Sequence, residues 1–183
     1  DEINAFTKEL TTTTQPDDIK QQPAIAATRE VYKRCGKDPS RYRPSAEALR
    51  RRLMRGLELY RIDTLVDLIN LVSLRTGYSI GGFDADKIQG NNLELGVGCA
   101  EEPFEGIGRG TLNIEGLPIY RDLTGGIGTP TSDNERTKMG LETRHILAIV
   151  NGYSGCDGLA EAAGMIQELL RKYAASDGGT VHY

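Results

Sequence analysis

The sequence is poor in the side chains that usually bind metals or act as nucleophiles. It contains two histidines and three cysteines, and Cys35, Cys99 and Cys156 lie far apart without a Cys-x-x-Cys spacing. A structural zinc ion usually takes four clustered cysteine or histidine ligands, so we expect no metal site. The sequence also lacks the Gly-x-Ser-x-Gly, His-Glu-x-x-His and P-loop motifs, and we expect no cofactor.

Long apolar runs are absent as well. The sequence has no run of 18 or more apolar residues, so it predicts no membrane-spanning helix. The odd number of cysteines and their wide separation favour free thiols, which are typical of the reducing cytoplasm. We therefore predict a cytoplasmic protein without a membrane partner, in which the three cysteines are small buried hydrophobic residues.

Acidic residues are scarce in one segment of a chain that is acidic overall. The formal net charge is −4, but residues 29–61 contain eleven Lys and Arg against four acids, a local net charge of +7 that leaves −11 elsewhere. Such a segment can bind an anionic partner locally. The alternative is a solvated basic face that the acidic remainder neutralises. Indiscriminate nucleic-acid binding is disfavoured, because it requires a domain that is basic overall.

Capping residues and apolar spacing predict several helices. The N-terminal stretch through Gln15 is polar and rich in threonine, so we expect it to be extended. Ser45 caps a helix in which Leu49 and Leu53 share one face. Its arginines are therefore predicted to point mostly outward: Arg50, Arg51, Arg52 and Arg55. The predicted helices are residues 24–35, 46–55, 64–76 with Asp63 as N-cap, and 158–175 with Asp157 as N-cap.

After Gly77 the sequence changes to short β-type runs separated by glycine. The clearest run is residues 143–150, whose nearly continuous apolar core is typical of a central strand. His145 within it fits a core or sheet-face position better than a general base, and residues 180–183 could add a short strand. The other predicted strands are residues 78–83, 93–99, 110–114 and 118–122. This order of elements predicts a layered α+β fold, with residues 1–183 as a single domain.

Polar and glycine residues inside apolar segments mark candidate binding positions. Asp67 and Asn70 lie one turn apart in the third helix, where a polar side chain needs a reason, although one of them could simply face solvent. Gly81 and Gly82 interrupt a predicted strand, which indicates either packing or the close approach of a ligand. Residues 125–128 could bring backbone amides to a ligand, although turn formation alone usually explains such a glycine cluster.

Three segments occur in a characteristic order and spacing: Arg43-Pro44-Ser45-Ala46-Glu47-Ala48-Leu49-Arg50, Val66-Asp67-Leu68-Ile69-Asn70 and Gly81-Gly82-Phe83-Asp84-Ala85-Asp86-Lys87-Ile88. They resemble the B3/B4 domain of bacterial phenylalanyl-tRNA synthetase beta subunits. Further along, Ile119-Tyr120-Arg121-Asp122 and Gly125-Gly126-Ile127-Gly128 look like that domain's strand and glycine-rich turn. The resemblance covers about residues 36–150, with a lead-in before it and the helix of residues 157–175 after it. It suggests a free-standing copy of the domain.

The resemblance implies a three-layer α+β domain with mixed β-sheets packed against helices. In the family, this domain hydrolyses tyrosine wrongly esterified to the phenylalanine tRNA, using a positioned water and hydrogen bonds to the terminal adenosine and the amino acid. A pocket that hydrogen-bonds a phenol hydroxyl separates Tyr from Phe strongly, because Phe leaves the polar groups unpaired. The family's pocket asparagine matches Asn70, and its glycine-rich wall matches Gly126 and Gly128.

The sequence departs from the family pattern at two pocket positions. Ile69 stands before Asn70 where the family usually has threonine, and Gly81 stands where it usually has a histidine. Gly81 has no side chain with which to orient a water or a ribose hydroxyl. Glu142 lies near the region of the family's pocket glutamate. The resemblance therefore supports the fold more strongly than the activity.

The resemblance predicts a module that binds the aminoacylated 3′ end of a tRNA and hydrolyses mischarged Tyr-tRNA(Phe) in trans. The implied substrate-binding residues are Asn70, Gly81, Gly82, Phe83, Gly126 and Gly128. The predicted contacts to the tRNA backbone are Arg43, Arg50, Arg51 and Arg55. The alternatives are a catalytically inactive RNA-binding module and a binding protein for free aromatic amino acids. No catalytic residue is assigned, and a homo-oligomer is left open.

Overall fold

The computed structural model describes residues 2–60 and 62–183. The described residues form five α-helices: α1 (Glu2–Thr13), α2 (Pro23–Arg34), α3 (Ser45–Met54), α4 (Thr64–Thr76) and α5 (Leu159–Ala174). The strands are β1 (Ser79–Asp84), β2 (Glu94–Val97), β3 (Glu105–Gly106), β4 (Gly110–Thr111), β5 (Pro118–Arg121), β6 (Gly126–Gly128) and β7 (Ile146–Asn151). Helices and sheets within one chain confirm the α+β class.

The strands form small antiparallel sheets, whereas the resemblance implied mixed sheets. β1 pairs with β7 over six residues, and β3 pairs with β4 over two. β5 lies between β2 and β6 in a three-stranded sheet. Every strand pairing among the described residues is antiparallel. Short loops and turns can join such strands, so no crossover helices are needed between them.

The β1–β7 ladder lies between the helices and the second sheet. Side chains alternate along a strand, so Ile80, Ile146 and Val150 pack against the cluster formed by α4 and α5. The opposite face points toward the three-stranded sheet, where the Tyr120 hydroxyl of β5 lies 3.1 Å from Asn151 Oδ1 of β7. A helical layer, a two-stranded ladder and a second sheet therefore follow one another.

The N-terminal stretch is a helix, so the prediction that it is extended is wrong. Its threonine hydroxyls donate to carbonyl oxygens within the helix, as Thr7 Oγ1 does to Ile3 O at 2.8 Å. Leu10 is buried against Leu53 of α3 and Leu74 of α4. Packing of this apolar face outweighs the low helix propensity of the threonines.

α4 begins and ends where its sequence predicts. Asp63 is the N-cap and accepts a hydrogen bond from the helix backbone, and Gly77 ends the helix with a φ of 80°. Three other helix starts differ by one residue from the prediction, and the first of these is α2, which begins at Pro23. Ser45 is the first residue of α3 instead of its N-cap, and Gly158, not Asp157, is the N-cap of α5.

β7 is an edge strand, so the prediction of a central strand is wrong. Among the described residues it pairs only with β1, and residues 146–150 are half-buried. His145 precedes the strand and is exposed, with Nδ1 2.9 Å from the Asp86 carboxylate, so it is not a sheet-face residue. The long apolar run arises because one face of β7 packs on the helices and the other faces the second sheet.

The two weakest strand predictions are also wrong in extent or existence. Residues 110–114 contain only the two-residue strand β4, and residues 180–183 have no regular secondary structure. The C-terminal segment instead follows α5, where Gln167 Nε2 donates to Gly178 O at 2.8 Å. Side-chain contacts to the helix therefore replace strand pairing in this segment.

The three cysteines are free thiols, but the prediction that they are buried is wrong. Cys35 is partly buried at the end of α2, whereas Cys99 and Cys156 lie in exposed turns. Among the described residues, no group of three His, Cys, Asp or Glu side chains could hold a metal ion. Within the same part of the chain, no helix is both long enough and apolar enough to cross a membrane.

Candidate functional site

Three of the predicted substrate-binding residues meet between β1 and β6. Gly81 and Phe83 lie on the same face of β1, and a Cβ atom placed on Gly81 would lie 2.8 Å from the Phe83 ring. A Cβ atom placed on Gly128 of β6 would lie 2.6 Å from Cζ of the same ring. The ring is only 1% exposed and fills the space above both glycines. Glycine is needed at both positions because no further side-chain atom fits there.

The carboxyl group of Asp133 shares this space. Its Oδ1 atom lies 3.2 Å from the Cβ position of Gly81 and 2.7 Å from that of Gly128. Its Oδ2 atom accepts a hydrogen bond from the Gly82 N–H at 3.2 Å, and its backbone pairs with Gly128 in an isolated bridge. We call the set of Gly81, Phe83, Gly128 and Asp133 the glycine-faced site.

The Asp133 carboxyl group has few hydrogen-bond donors around it. The Gly82 N–H is its one donor among the described residues, and its neighbours Gly81, Phe83 and Gly128 carry no charge. Burial disfavours the ionised form and raises the pKa of Asp133 from 3.8 to about 7, an effect that the bond from Gly82 offsets only in part. The surroundings of Asp133 therefore disfavour its ionised form, although the residue is only partly buried.

A polar network adjoins the site on the same face of the ladder. The Tyr120 hydroxyl donates to Asn151 Oδ1 at 3.1 Å, and Asn151 Nδ2 donates to Ser79 O at 2.9 Å. Tyr120 is the cross-strand partner of Gly128, which places this network next to the glycine-faced site. The nearby Tyr153 hydroxyl is buried without a hydrogen-bond partner among the described residues, and burial raises its pKa.

Two predicted substrate-binding residues lie apart from this site. Asn70 is half-buried on α4, and its neighbour Ile69 approaches the Cβ position of Gly82 to 3.6 Å on the helical face of β1. Gly126 faces the core instead, where an added Cβ would lie 2.5 Å from Ile119 Cδ1. Among the described residues no hydrogen bond joins Asn70 or Gly126 to the glycine-faced site. Their role in ligand binding stays a prediction.

The sequence model of the B3/4 domain family matches residues 27–170, which is most of the chain. The chain belongs to the B3/4 domain family. The match extends from within α2 to within α5 and therefore includes the whole glycine-faced site. This B3/4 domain is a tRNA-synthetase-related module, of the type found in the phenylalanyl-tRNA synthetase beta chain. No curated protein matches the chain.

The turn after β1 of this B3/4 domain is held by charged side chains. Asp84 Oδ2 accepts a hydrogen bond from Thr143 Oγ1 at 2.9 Å and lies 3.5 Å from Lys87 Nζ. Burial opposes ionisation, but these partners and a backbone N–H lower the pKa of Asp84 overall. Lys87 Nζ also lies 3.0 Å from Glu142 Oε1, so Glu142 belongs to this exposed network. The turn has a structural role, and Glu142 is not part of the glycine-faced site.

The turn between β5 and β6 is held by a second buried carboxylate. Asp122 accepts two hydrogen bonds from Arg136, both of 2.9 Å. It also accepts backbone N–H groups from Gln89, Thr124 and Gly125 at 2.8 to 3.1 Å. Burial opposes ionisation, but these five hydrogen bonds hold the pKa of Asp122 well below its usual range. Asp122, the last residue of the Ile119–Asp122 segment that carries the resemblance, therefore has a structural role.

The arginines of the basic segment are used largely inside the domain. Arg50 is 8% exposed and donates to Leu74 O at the end of α4 through Nε at 3.0 Å and Nη2 at 2.6 Å, so the prediction that it points outward is wrong. Arg29 and Arg51 each lie 2.8 Å from a different oxygen of the buried Glu47. These contacts join α2, α3 and α4.

The remaining predicted tRNA contacts are Arg43 and Arg55. Arg55 is exposed and Arg43 is half-buried, and neither has a hydrogen bond or ion pair with another described residue. In the same basic segment, the Arg52 guanidinium lies 4.1 Å from the centroid of the Tyr60 ring, which is 70% exposed. Arg43 and Arg55 are therefore the members of the predicted set whose charges are available to a partner.

Three residues near the site escape prediction from sequence: Asp133, Asn151 and Tyr153. Asp133 follows a Thr-Pro-Thr-Ser run that reads only as a turn. The Thr129 hydroxyl accepts the Ser132 N–H at 3.0 Å and helps fold the chain back, so that Asp133 meets Gly128. Asn151 has a usable signal, because it is a polar residue that ends an apolar strand.

Proposed function

We propose that this B3/4 domain binds the aminoacylated 3′ end of a tRNA at the glycine-faced site and hydrolyses the ester of a mischarged amino acid in trans. The substrate that we favour is tyrosine esterified to tRNA(Phe). Water adds to the ester carbonyl carbon, and the bond to the ribose oxygen breaks. The products are the free amino acid and a tRNA with a free ribose hydroxyl.

The observation that carries this proposal is the convergence of Gly81, Gly128 and Asp133 inside a tRNA-synthetase-related domain. Two facing glycines allow a ligand to approach the backbone closely, and the carboxyl group beside them can accept or donate a proton. The Phe83 ring occupies this space, so substrate binding requires its displacement. Leu147, the cross-strand partner of Phe83 on β7, is only partly buried.

The neighbouring polar network fits a phenol group. Tyr120 and Asn151 present a hydroxyl and an amide on the same face as the site, and the Tyr153 hydroxyl lacks a partner in the described chain. A tyrosine substrate would give the Tyr153 hydroxyl a hydrogen-bond partner, whereas phenylalanine would leave it unpaired; Tyr120 and Asn151 already hydrogen-bond each other. Pockets built in this way discriminate strongly between the two amino acids.

The direct experiment is a deacylation assay with Tyr-tRNA(Phe), using Phe-tRNA(Phe) as the matched control substrate. We expect release of tyrosine above the rate in buffer and slower release of phenylalanine. Tyr120→Phe should reduce the preference for tyrosine, and Asn70→Ala tests the position matched to the family's pocket asparagine. If tyrosine is released no faster than in buffer, the proposed hydrolysis is contradicted. If both substrates are hydrolysed at equal rates, the proposed selectivity is contradicted.

A second candidate is tRNA binding without hydrolysis. It is favoured by the Phe83 ring, which fills the site, and by the absence of a side chain at Gly81. In that case tRNA still binds, with an affinity that falls steeply as salt rises. Arg43→Glu and Arg55→Glu should weaken this binding, with Lys8→Glu, an exposed cation outside the basic segment, as the control. Binding that responds to neither salt nor these changes contradicts both candidates.

A further inference from the structure

Asp133 carries the only ionisable side chain of the glycine-faced site. Asp133 is partly buried, and carboxyl groups packed inside a domain are usually provided with several hydrogen-bond donors. Asp133 has a single backbone donor at 3.2 Å, whereas Asp122 on the neighbouring turn has five hydrogen bonds. The surroundings of Asp133 therefore do not look like those of a purely structural carboxylate.

We propose that Asp133 is the general base of the hydrolysis, and that its Oδ1 atom accepts a proton from the attacking water. This inference rests on the proposed function. Oδ2 accepts the Gly82 N–H, and Oδ1 faces Gly81 and Gly128. A substrate that displaces the Phe83 ring would enter the space next to that oxygen.

The proton and electron balance of the step is complete without another reactant. A water O–H bond breaks as its oxygen bonds to the ester carbonyl carbon, and the proton moves to Oδ1 of Asp133. The tetrahedral intermediate then expels the ribose oxygen, which takes the proton back from Asp133. The carboxylate is regenerated, and nothing is oxidised or reduced.

The backbone holds Asp133 firmly in this position. Its carbonyl oxygen accepts the Ile107 N–H at 3.0 Å, and the next residue, Asn134, donates its N–H to Ile127 O at 2.7 Å. A base must be positioned before it is useful, and pairing on both sides provides that. The raised pKa of Asp133 supports the same role, because a general base works best when its pKa lies near the working pH.

The charge environment of Asp133 is simple enough to test by pH. The groups that face its carboxyl group are Gly81, Gly82 and Phe83 of β1 and Gly128 of β6, none of which titrates. A deacylation rate that depends on this base should rise with pH as Asp133 ionises and level off above about pH 8. Hydroxide-driven hydrolysis would keep rising instead.

The experiment compares wild type, Asp133→Asn and Asp133→Glu in single-turnover deacylation of Tyr-tRNA(Phe) between pH 5 and 9. Binding of the same tRNA and thermal unfolding are measured in parallel. We expect Asp133→Asn to bind normally and to lose about 10²-fold to 10⁴-fold in rate, together with the plateau. Asp133→Glu should recover part of the rate. Asp122→Asn is the control, because a structural carboxylate should change stability and leave the shape of the pH profile intact.

The outcomes separate this inference from the proposed function. If wild type hydrolyses the ester and folded Asp133→Asn does so at a similar rate, Asp133 is not the base, but the hydrolytic function stands. A wild-type rate that rises with unit slope to pH 9 overturns the inference without any variant. If wild type shows no hydrolysis, the proposed activity fails, and the role of Asp133 fails with it.

Discussion

Asp122 and Asp133 lie eleven residues apart on either side of β6; the Asp122 side chain is fully buried, and Asp133 is partly buried. Asp122 accepts five hydrogen bonds, including a bidentate pair from Arg136, and its pKa is held well below the usual range. Asp133 accepts one, and burial raises its pKa to about 7. The same type of side chain thus meets opposite surroundings on the two sides of one short strand.

The comparison distinguishes a carboxylate that stabilises the folded protein, Asp122, from one that destabilises it when ionised, Asp133. A buried charge contributes stability only when its hydrogen bonds and charge partners offset its desolvation. Asp122 meets that condition and Asp133 does not. Functional sites are where proteins retain such unfavourable groups, because removing the strain would also remove the chemistry. Four predictions test this contrast, in decreasing order of expected effect.

The largest effect is expected at Asp122. Asp122→Ala should lower the free energy of unfolding by about 4 kcal/mol, because Arg136 and three backbone N–H groups lose their buried acceptor. The loss should shrink below about pH 4. A group with a depressed folded-state pKa stabilises only while it is ionised, so its contribution disappears as pH falls. Urea unfolding of wild type and variant at pH 7 and pH 3 measures the loss of stability and its dependence on pH. A loss of less than about 1 kcal/mol at pH 7 would contradict the structural role of Asp122.

Asp133→Asn should raise the free energy of unfolding, whereas Asp122→Ala lowers it. Above about pH 4 the unfolded chain releases a proton that folded Asp133 keeps until about pH 7, so the wild type loses stability across this interval. Asparagine does not titrate, so the variant should be more stable than wild type at pH 8, by about 2 kcal/mol once the new amide is allowed for.

Thermal unfolding of wild type and Asp133→Asn at pH 4 and pH 8 decides this prediction. The two proteins should have similar stability at pH 4, where folded Asp133 is protonated and only about half of the unfolded chains have released this proton. A variant that is less stable than wild type at pH 8 would mean that the carboxylate is satisfied by contacts beyond the Gly82 N–H.

Local sequence signals are sufficient for much of this fold. Asp63 and Gly77 predict both ends of α4, and short β-type runs separated by glycine predict β1, β5 and β7. The failures are of another kind. α1 is helical because Leu10 packs into a cluster with residues far along the chain, and no local pattern reveals that partner. β7 reads as a central strand because both of its faces are half-covered.

The candidate site is only partly predictable for the same reason. Gly81, Phe83 and Gly128 stand out in sequence, and the structure brings them together. Asp133 does not stand out, because its role depends on a hairpin that places it beside β1, over fifty residues away in sequence. For Arg50, the sequence predicts an exposed side chain, and the structure shows a buried one. Its spacing on α3 suggests an outward position, but the carbonyl groups at the end of α4 draw it into the interior.

A smaller effect is expected at Gly128. Gly128→Ala would place a Cβ atom 2.6 Å from Phe83 Cζ and 2.7 Å from Asp133 Oδ1, so these neighbours must shift at a cost of about 2 kcal/mol. Gly164→Ala is the matched control. Gly164 lies within α5 with nothing within 4 Å of its Cβ position, and alanine there should stabilise the helix by up to about 1 kcal/mol. Equal effects of the two changes would mean that the glycine-faced site is not tightly packed.

The smallest effect concerns two tyrosines that differ as the two aspartates do. The Tyr120 hydroxyl donates to Asn151, whereas the Tyr153 hydroxyl is buried without a partner in the described chain. Tyr120→Phe should cost about 1 kcal/mol, because Asn151 Oδ1 loses its donor, and Tyr153→Phe should be neutral or stabilising by a few tenths of a kcal/mol. Thermal unfolding of both variants measures the difference. A Tyr153→Phe variant that is as destabilised as Tyr120→Phe would indicate a bound water at that hydroxyl, and the polar network would then be fully satisfied before any substrate arrives.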